Sequence, residues 1–233
     1  MIEFHPYASS SKGNLYTLSD GETTLMLECG LSWNETRRLL NFNTSSVAGI
    51  LLTHSHGDHS KGAHDAIKAG VDIYASTETI ETLKLSGHRV HVIIPREAFR
   101  IGTWAIKGFD TVHDAEGTLG LVLVNKINER FLFALDTPYL KYRFANLVGI
   151  AIECNYSLEL IRESVTENRI APELKNRVLK SHLSLETVIN FLKANDLSDL
   201  RETYLLHLSD GNSDANEFKR IVQSITGKPC YVA

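Results

Sequence analysis

Within Thr53-His54-Ser55-His56-Gly57-Asp58-His59, four potential metal ligands fall inside six residues. Imidazole and carboxylate together suit zinc, manganese or iron. Gly57 permits the sharp backbone that such crowding demands. A structural zinc takes four ligands in a tetrahedron, usually with cysteines and longer spacers. Here the side chains leave a tight loop in different directions, so sharing them between two neighbouring cations is easier. Two cations roughly 3.5–4 Å apart can activate water and stabilise both the attacking and the leaving oxygen. A polar loop that gathered histidines by chance would show no such density of ligand types.

The rest of the chain must bring further ligands to this loop. Leu15–Leu18 and Thr24–Leu27 read as strands flanking the turn pair Asp20-Gly21. Trp33–Phe42 reads as a helix capped by Ser32 or Asn34. Val47–Leu52 is an apolar run that ends at Thr53-His54, as a buried strand emptying into a loop does. Ile73–Ala75, Trp104–Phe109, Gly120–Val124, Phe131–Leu135 and Ile150–Cys154 read as further strands, and Ser76–Leu85 as a helix. Leu185, Val188, Ile189 and Leu192 follow helical spacing behind the cap Ser184. Phe218, Ile221, Val222 and Ile225 repeat it, with Asp214 and Glu217 at capping-box spacing. Between these helices Thr203–Leu206 is a strand ending at His207. Three strands therefore stop at His54, Asp136 or His207, and strand ends at one sheet edge are where loops converge on a ligand.

His113 follows another strand, and Asp136 follows the apolar Phe131–Leu135, where an acid is costly unless paired or metal-bound. Each alone is an ordinary polar residue at a strand end. Only the combination makes a site.

This set, His54-x-His56-x-Asp58-His59 with His113, Asp136 and His207, resembles the metallo-β-lactamase superfamily over nearly the whole chain. It is most similar to the phosphodiesterase branch, among the small YycJ-like hydrolases related to tRNA 3′-processing endonucleases. The segments Ala8–Asn14, Glu28–Ser32, His113–Ala115, Glu153–Asn155, Leu174–Val178, His182–Ser184 and His207–Ser209 carry that narrower likeness. The resemblance implies an α/β (α+β) fold, an αββα sandwich with the site at one edge. It implies one metal on His54, His56 and His113, a second on Asp58, His59 and His207, and Asp136 bridging them. The metals would be two divalent ions, zinc or manganese.

It also gives His182 the role of general acid, because a non-ligand histidine of that branch protonates the leaving oxygen shortly before the last ligand. Asp58, besides binding metal, would orient the nucleophile. Glu28 stands where the family has aspartate, supporting a ligand from behind. Asp114 is expected to orient a ligand imidazole through its second nitrogen. Ser11, Lys12 and Asn155 are the expected substrate contacts, and Lys175, Arg177 and Lys180 form a basic cluster before His182. Pro138 replaces the usual glycine after the bridging acid, and Tyr156-Ser157 replaces a His-Asp pair of close relatives.

The expected activity is binuclear, metal-dependent hydrolysis of phosphodiester bonds in nucleic acid or nucleotides, by a hydroxide the metals generate. A cyclic nucleotide is the small-substrate alternative, and the chain holds no room for the domain that larger nucleases insert. Thioester or lactam hydrolysis is a second class, disfavoured by His182. A catalytically inactive metal-binding module is a third, and it should have lost ligands that are all present here.

The remaining composition sets bounds. With 233 residues and 43% apolar content, one domain, residues 1–233, can bury a sizeable core. A net charge of −4 gives no bulk basic field for nucleic acid, although a local basic groove needs none. Three well-separated cysteines without a CxxC pair suit free thiols in a reducing compartment. The N-terminal segment lacks a basic start and an apolar run, and no stretch is long enough to cross a membrane, so a cytoplasmic protein is expected. A homodimer is compatible with the family.

Overall fold

The computed structural model describes residues 1–233. The chain divides into two compact units, Met1–Asp110 with Ala115–Glu129, and Thr111–Asp114 with Arg130–Ala233.

The first unit holds the strands β1 (Glu3–Ser10), β2 (Gly13–Ser19), β3 (Thr24–Leu27), β4 (Val47–Leu51), β5 (Ile73–Ala75) and β6 (Val90–Val92), which form one sheet in chain order. β1 to β3 are antiparallel, and β3 to β6 run parallel. Parallel neighbours need crossovers. These are α1 (Trp33–Leu39), then α2 (Gly57–Ser60) with α3 (Ala63–Lys68), then α4 (Thr77–Leu83). Leu15, Met26, Ile50 and Ile73 from the sheet, with Leu52 just past β4, pack with Trp33 and Ala66 from the helices. Three antiparallel strands follow, β7 (Ala98–Ile101), β8 (Trp104–Asp110) and β9 (Leu119–Val124).

Ser32 starts α1 in a full capping box with Glu35. The helix ends at Leu39, short of the expected Phe42. Asn41 and Phe42 both take left-handed φ, 50° and 60°, which an α-helix cannot contain.

The second unit contains β10 (Arg130–Ala134), β11 (Leu147–Glu153), β12 (Glu202–Leu206) and β13 (Cys230–Val232), all parallel and adjacent in that order. Every residue of β11 is buried, which fits its apolar run Leu147–Ile152 and leaves Glu153 as a buried acid at its end. α5 (Leu158–Thr166), α6 (Pro172–Ser181) and α7 (Leu185–Ala194) connect β11 to β12, and α8 (Ala215–Thr226) connects β12 to β13. Ser157, Ser184 and Asp214 cap α5, α7 and α8 through their side chains, and Pro172 opens α6.

Register does the positioning in this unit. Ala134 pairs with Ile152, and Ile152 with Leu205. The carboxyl ends of β10, β11 and β12 therefore finish level, and Asp136, Glu153 and His207 follow within two residues of that level. No helix is long and apolar enough to cross a membrane. Cys29, Cys154 and Cys230 are buried free thiols, and burial raises the pKa of all three.

Candidate functional site

Each unit carries a cluster of metal-ligating side chains at strand ends. In the first, β4 delivers the chain to Thr53 and His54, and the motif then turns into the short α2. His54 and His59 are fully buried, with ring centroids 4.1 Å apart, and the ring of His56 lies 4.7 Å from that of His54. Thr53 Oγ1 is 2.9 Å from His54 Nδ1, which leaves Nε2 as the nitrogen presented to a cation. His59 Nε2 lies 3.4 Å from Asp58 Oδ2.

Glu28 is wholly buried behind His59. Its Oε1 is 3.4 Å from His59 Nδ1, and its Oε2 accepts from the Thr53 amide at 3.3 Å. The carboxylate favours a proton on Nδ1 and so leaves the Nε2 lone pair for a cation. Glu28 has a φ of 63°, sparsely populated for a residue with its side chain, so the backbone is bent to bring the acid in. The longer side chain thus still reaches the supporting position at which the family has aspartate.

Two further residues shape this loop. Asn14 donates from Nδ2 to the Asp58 carbonyl at 3.1 Å, and the same nitrogen is 3.2 Å from His59 Nε2. Gly30 lies so close beneath the motif that a Cβ there would sit 1.7 Å from the Asp58 carbonyl oxygen. Ser11 and Lys12 form the exposed tip of the β1–β2 hairpin, three and two residues before Asn14.

In the second unit Asp136 and His207 both take left-handed φ, 46° and 54°, just past β10 and β12. Aspartate and histidine tolerate that region better than most residues. His207 Nδ1 lies 3.6 Å from Asp136 Oδ1, and His113 Nε2 lies 3.7 Å from Asp136 Oδ2. The His113 Nδ1 donates to the Ser181 carbonyl at 3.1 Å.

Asp136, Glu153, His182 and His207 converge as one group, buried except for the partly exposed His182. α6 stops at Ser181, and Ser184 starts α7, so His182 and Leu183 form a short link. Glu153 pins that link twice. Its Oε2 accepts from the Leu183 amide at 3.0 Å, and its Oε1 lies 2.5 Å from His182 Nδ1. The Thr137 amide also donates to Oε2, at 3.2 Å. Burial disfavours the imidazolium, but the carboxylates of Glu153 and Asp136 outweigh it and push the His182 pKa up to about 10.

The donor sets fit divalent cations. Both clusters contain only imidazole and carboxylate. Two donors each about 2.1 Å from one cation, at tetrahedral angles, lie about 3.4 Å apart. The 3.4 Å between His59 Nε2 and Asp58 Oδ2 and the 3.7 Å between His113 Nε2 and Asp136 Oδ2 are near that edge length.

Asn155, expected to contact substrate, is buried, and its amide donates to the His207 carbonyl at 2.8 Å and lies 3.3 Å from His207 Nδ1. It holds the ring of His207. Asp114, expected to orient a ligand imidazole, faces Nε2 of His113, while Ser181 takes Nδ1. Its Oδ1 is 3.0 Å from His113 Nε2, and its Oδ2 is 3.1 Å from Arg177. Arg177 and Lys180 line a cleft of about 540 Å³ with Val112, His113, Asp114 and Asn176. Glu153 and Asn14 join the site without carrying a motif of their own in the sequence. Their only signal was membership of the family-like segments Glu153–Asn155 and Ala8–Asn14.

Known proteins share this fold. Residues 23–152 match the beta-lactamase superfamily domain, more than half of the chain. The exodeoxyribonuclease YycJ of Bacillus anthracis is 26% identical, across 91% of this chain and 84% of its own length. Among solved structures, the metallo-beta-lactamase fold protein YhfI of Bacillus subtilis superposes with a TM-score of 0.75 at 13% identity, covering 100% of this chain and 97% of YhfI. Human tRNase Z, short form, gives 0.62 at 12% identity, covering 100% and 96%. The expected metallo-β-lactamase fold is therefore the observed one.

Proposed function

Because the chain belongs to the beta-lactamase superfamily, we propose that it is a metal-dependent phosphodiesterase that hydrolyses nucleic acid. In this reading the two units act as one hydrolase domain, residues 1–233. His54, His56 and His113 would hold one divalent ion and Asp58, His59 and His207 another, with Asp136 as the ligand they would share. Zinc or manganese suits these donors. Such ions, when bound, activate water and neutralise charge on the phosphoryl oxygens.

The observation that carries the reading is the His182–Glu153 pair beside Asp136. A hydrolase that expels an alkoxide needs a proton donor, and His182 is held protonated at neutral pH. Glu153 fixes the proton on Nδ1, so Nε2 carries the proton that passes to the leaving oxygen. Leu183 and Thr137 hold the carboxylate in turn, so the donor is positioned before substrate arrives. Glu28 and Asn155 act through His59 and His207. Lys12 and Ser11, on the exposed hairpin tip, contact a substrate phosphate. The nuclease name of the Bacillus anthracis relative supports a nucleic-acid substrate. Three buried free thiols support a reducing compartment, the cytoplasm, and a homodimer is compatible with this reading.

The test is turnover of an aryl phosphodiester by purified protein loaded with zinc or with manganese, beside a thioester and a β-lactam. The diester alone should be cleaved, and His182→Ala should lose rate while keeping its metal. A fully loaded protein that leaves the diester intact would remove this reading, and thioester or lactam turnover would name its replacement.

A further inference from the structure

Directly after Asp136 the chain runs Thr137-Pro138-Tyr139-Leu140-Lys141-Tyr142-Arg143-Phe144, with aromatic and basic residues interleaved. Exposure alternates along it: Tyr139, Lys141 and Arg143 face solvent, while Leu140, Tyr142 and Phe144 are half-buried. The inward set anchors the loop. The Phe144 ring packs against Phe191 of α7 at 6.1 Å, and the Phe144 amide donates to Asn195 Oδ1 at 2.6 Å. The outward set has no packing duty. Tyr139 is 49% exposed, unusual for a residue that gains so much from burial. Lys141 Nζ lies 5.1 Å from the Tyr142 ring centroid, so the cation is held beside an aromatic face. A cavity of about 220 Å³ opens between this loop and α7.

The loop is tied to the reaction centre of its own unit. Thr137 accepts from the Val112 amide at 3.3 Å, next to His113, and donates to the Tyr139 carbonyl at 3.0 Å. Three residues of chain span at most about 10 Å, so Tyr139 stands one or two nucleotide steps from a phosphate at Asp136.

Resting on the phosphodiesterase reading, we infer that Tyr139, Lys141 and Arg143 form a binding tract for single-stranded nucleic acid. The Tyr139 ring stacks on a base next to the scissile phosphate, and Lys141 and Arg143 neutralise phosphates farther along the strand. Stacking rings set among cations track a single strand without reading its sequence, and a duplex keeps its bases from the ring. A cyclic nucleotide would have no second phosphate for Lys141 and Arg143.

The test is fluorescence anisotropy of the metal-loaded protein with a cleavage-resistant phosphorothioate oligothymidylate of about twelve nucleotides. Tyr139→Ala should weaken binding roughly five- to a hundredfold, while Tyr139→Phe, which keeps the ring, should stay within about threefold. Lys141→Ala with Arg143→Ala should reduce the slope of log K against log salt by about 1.4. The ratio of kcat/KM for an oligonucleotide to that for the aryl diester should fall in both. Wild-type affinity in Tyr139→Ala, or equal binding of a duplex, overturns the tract. So does aryl-diester turnover by a protein that binds no oligonucleotide, an outcome that leaves the phosphodiesterase reading standing. Tyr139-dependent binding by a protein that turns over no diester does the reverse.

Discussion

Nδ1 of His182 lies 2.5 Å from Oε1 of Glu153, and Glu153 is wholly buried. The pair makes the protonation of His182 depend on a charge outside its own helix link. With Glu153 ionised, His182 keeps its proton until the pH rises through about 10. Glu153→Gln removes that charge, so the folded-state pKa falls and the donor is lost at lower pH. The alkaline limb of the kcat–pH profile should move toward neutrality, by one unit or more. Metal content, measured by plasma mass spectrometry, should hold, and His182→Ala should abolish the limb with a rate loss of about 10²–10⁴-fold. An unmoved limb in Glu153→Gln would show that another group sets it.

Gly30 and Gly57 make an internal comparison. A Cβ at Gly30 meets the Asp58 carbonyl at 1.7 Å, whereas one at Gly57 meets nothing within 4 Å. Gly30→Ala should lower stability by about 1–3 kcal/mol or more and weaken metal binding, because Asp58 must shift. Gly57→Ala should stay within about 0.5 kcal/mol, because Gly57 opens α2 without a positive φ and the sharp backbone expected of it is not what the loop uses. Thermal unfolding and metal titration of the two variants check this.

Asn155→Ala should act through His207. It leaves a buried carbonyl without its donor, at about 1–3 kcal/mol, and lets the imidazole turn. Metal affinity should fall about 10–100-fold, the usual size for loss of a group behind a ligand. Competition with a chromogenic chelator reads the affinity, and kcat at saturating metal should recover most of its value.

Removing metal should cost stability as well as activity. A cation at a hundred times its Kd stabilises the folded state by about 2.7 kcal/mol. Chelation should therefore lower Tm, and zinc or manganese should restore it. In Asp136→Asn, which loses the carboxylate that lies within 3.7 Å of His113 and 3.6 Å of His207, added metal should raise Tm far less.

What could be read before folding follows from distance along the chain. The His54–His59 motif is local, so its chemistry is visible in one glance at the sequence. Ser32, Ser184 and Asp214 were legible as caps for the same reason. Glu153 was not, because it closes an apolar strand and meets His182 only through parallel pairing and the α6–α7 link, 29 residues on. Asn14 faces His59 across 45 residues for a similar reason. α6 escaped notice because only Ser181 of its ten residues is buried, so no apolar stripe marks it. β1 carries Pro6 and a mostly exposed pattern, and β6 and β7 are too short to show a period.

The three buried thiols supply a clock for opening. Cys29 belongs to the first unit, and Cys154 and Cys230 belong to the second. Burial keeps each protonated and out of reach, so an alkylating reagent reacts only when the surrounding chain comes apart. Pulsed alkylation read peptide by peptide would time the loosening of each unit separately, with no label introduced. Cys29 also stands between Glu28 and Gly30, both of which pack against the His54–His59 loop, so its modification rate doubles as a report on whether that loop is intact.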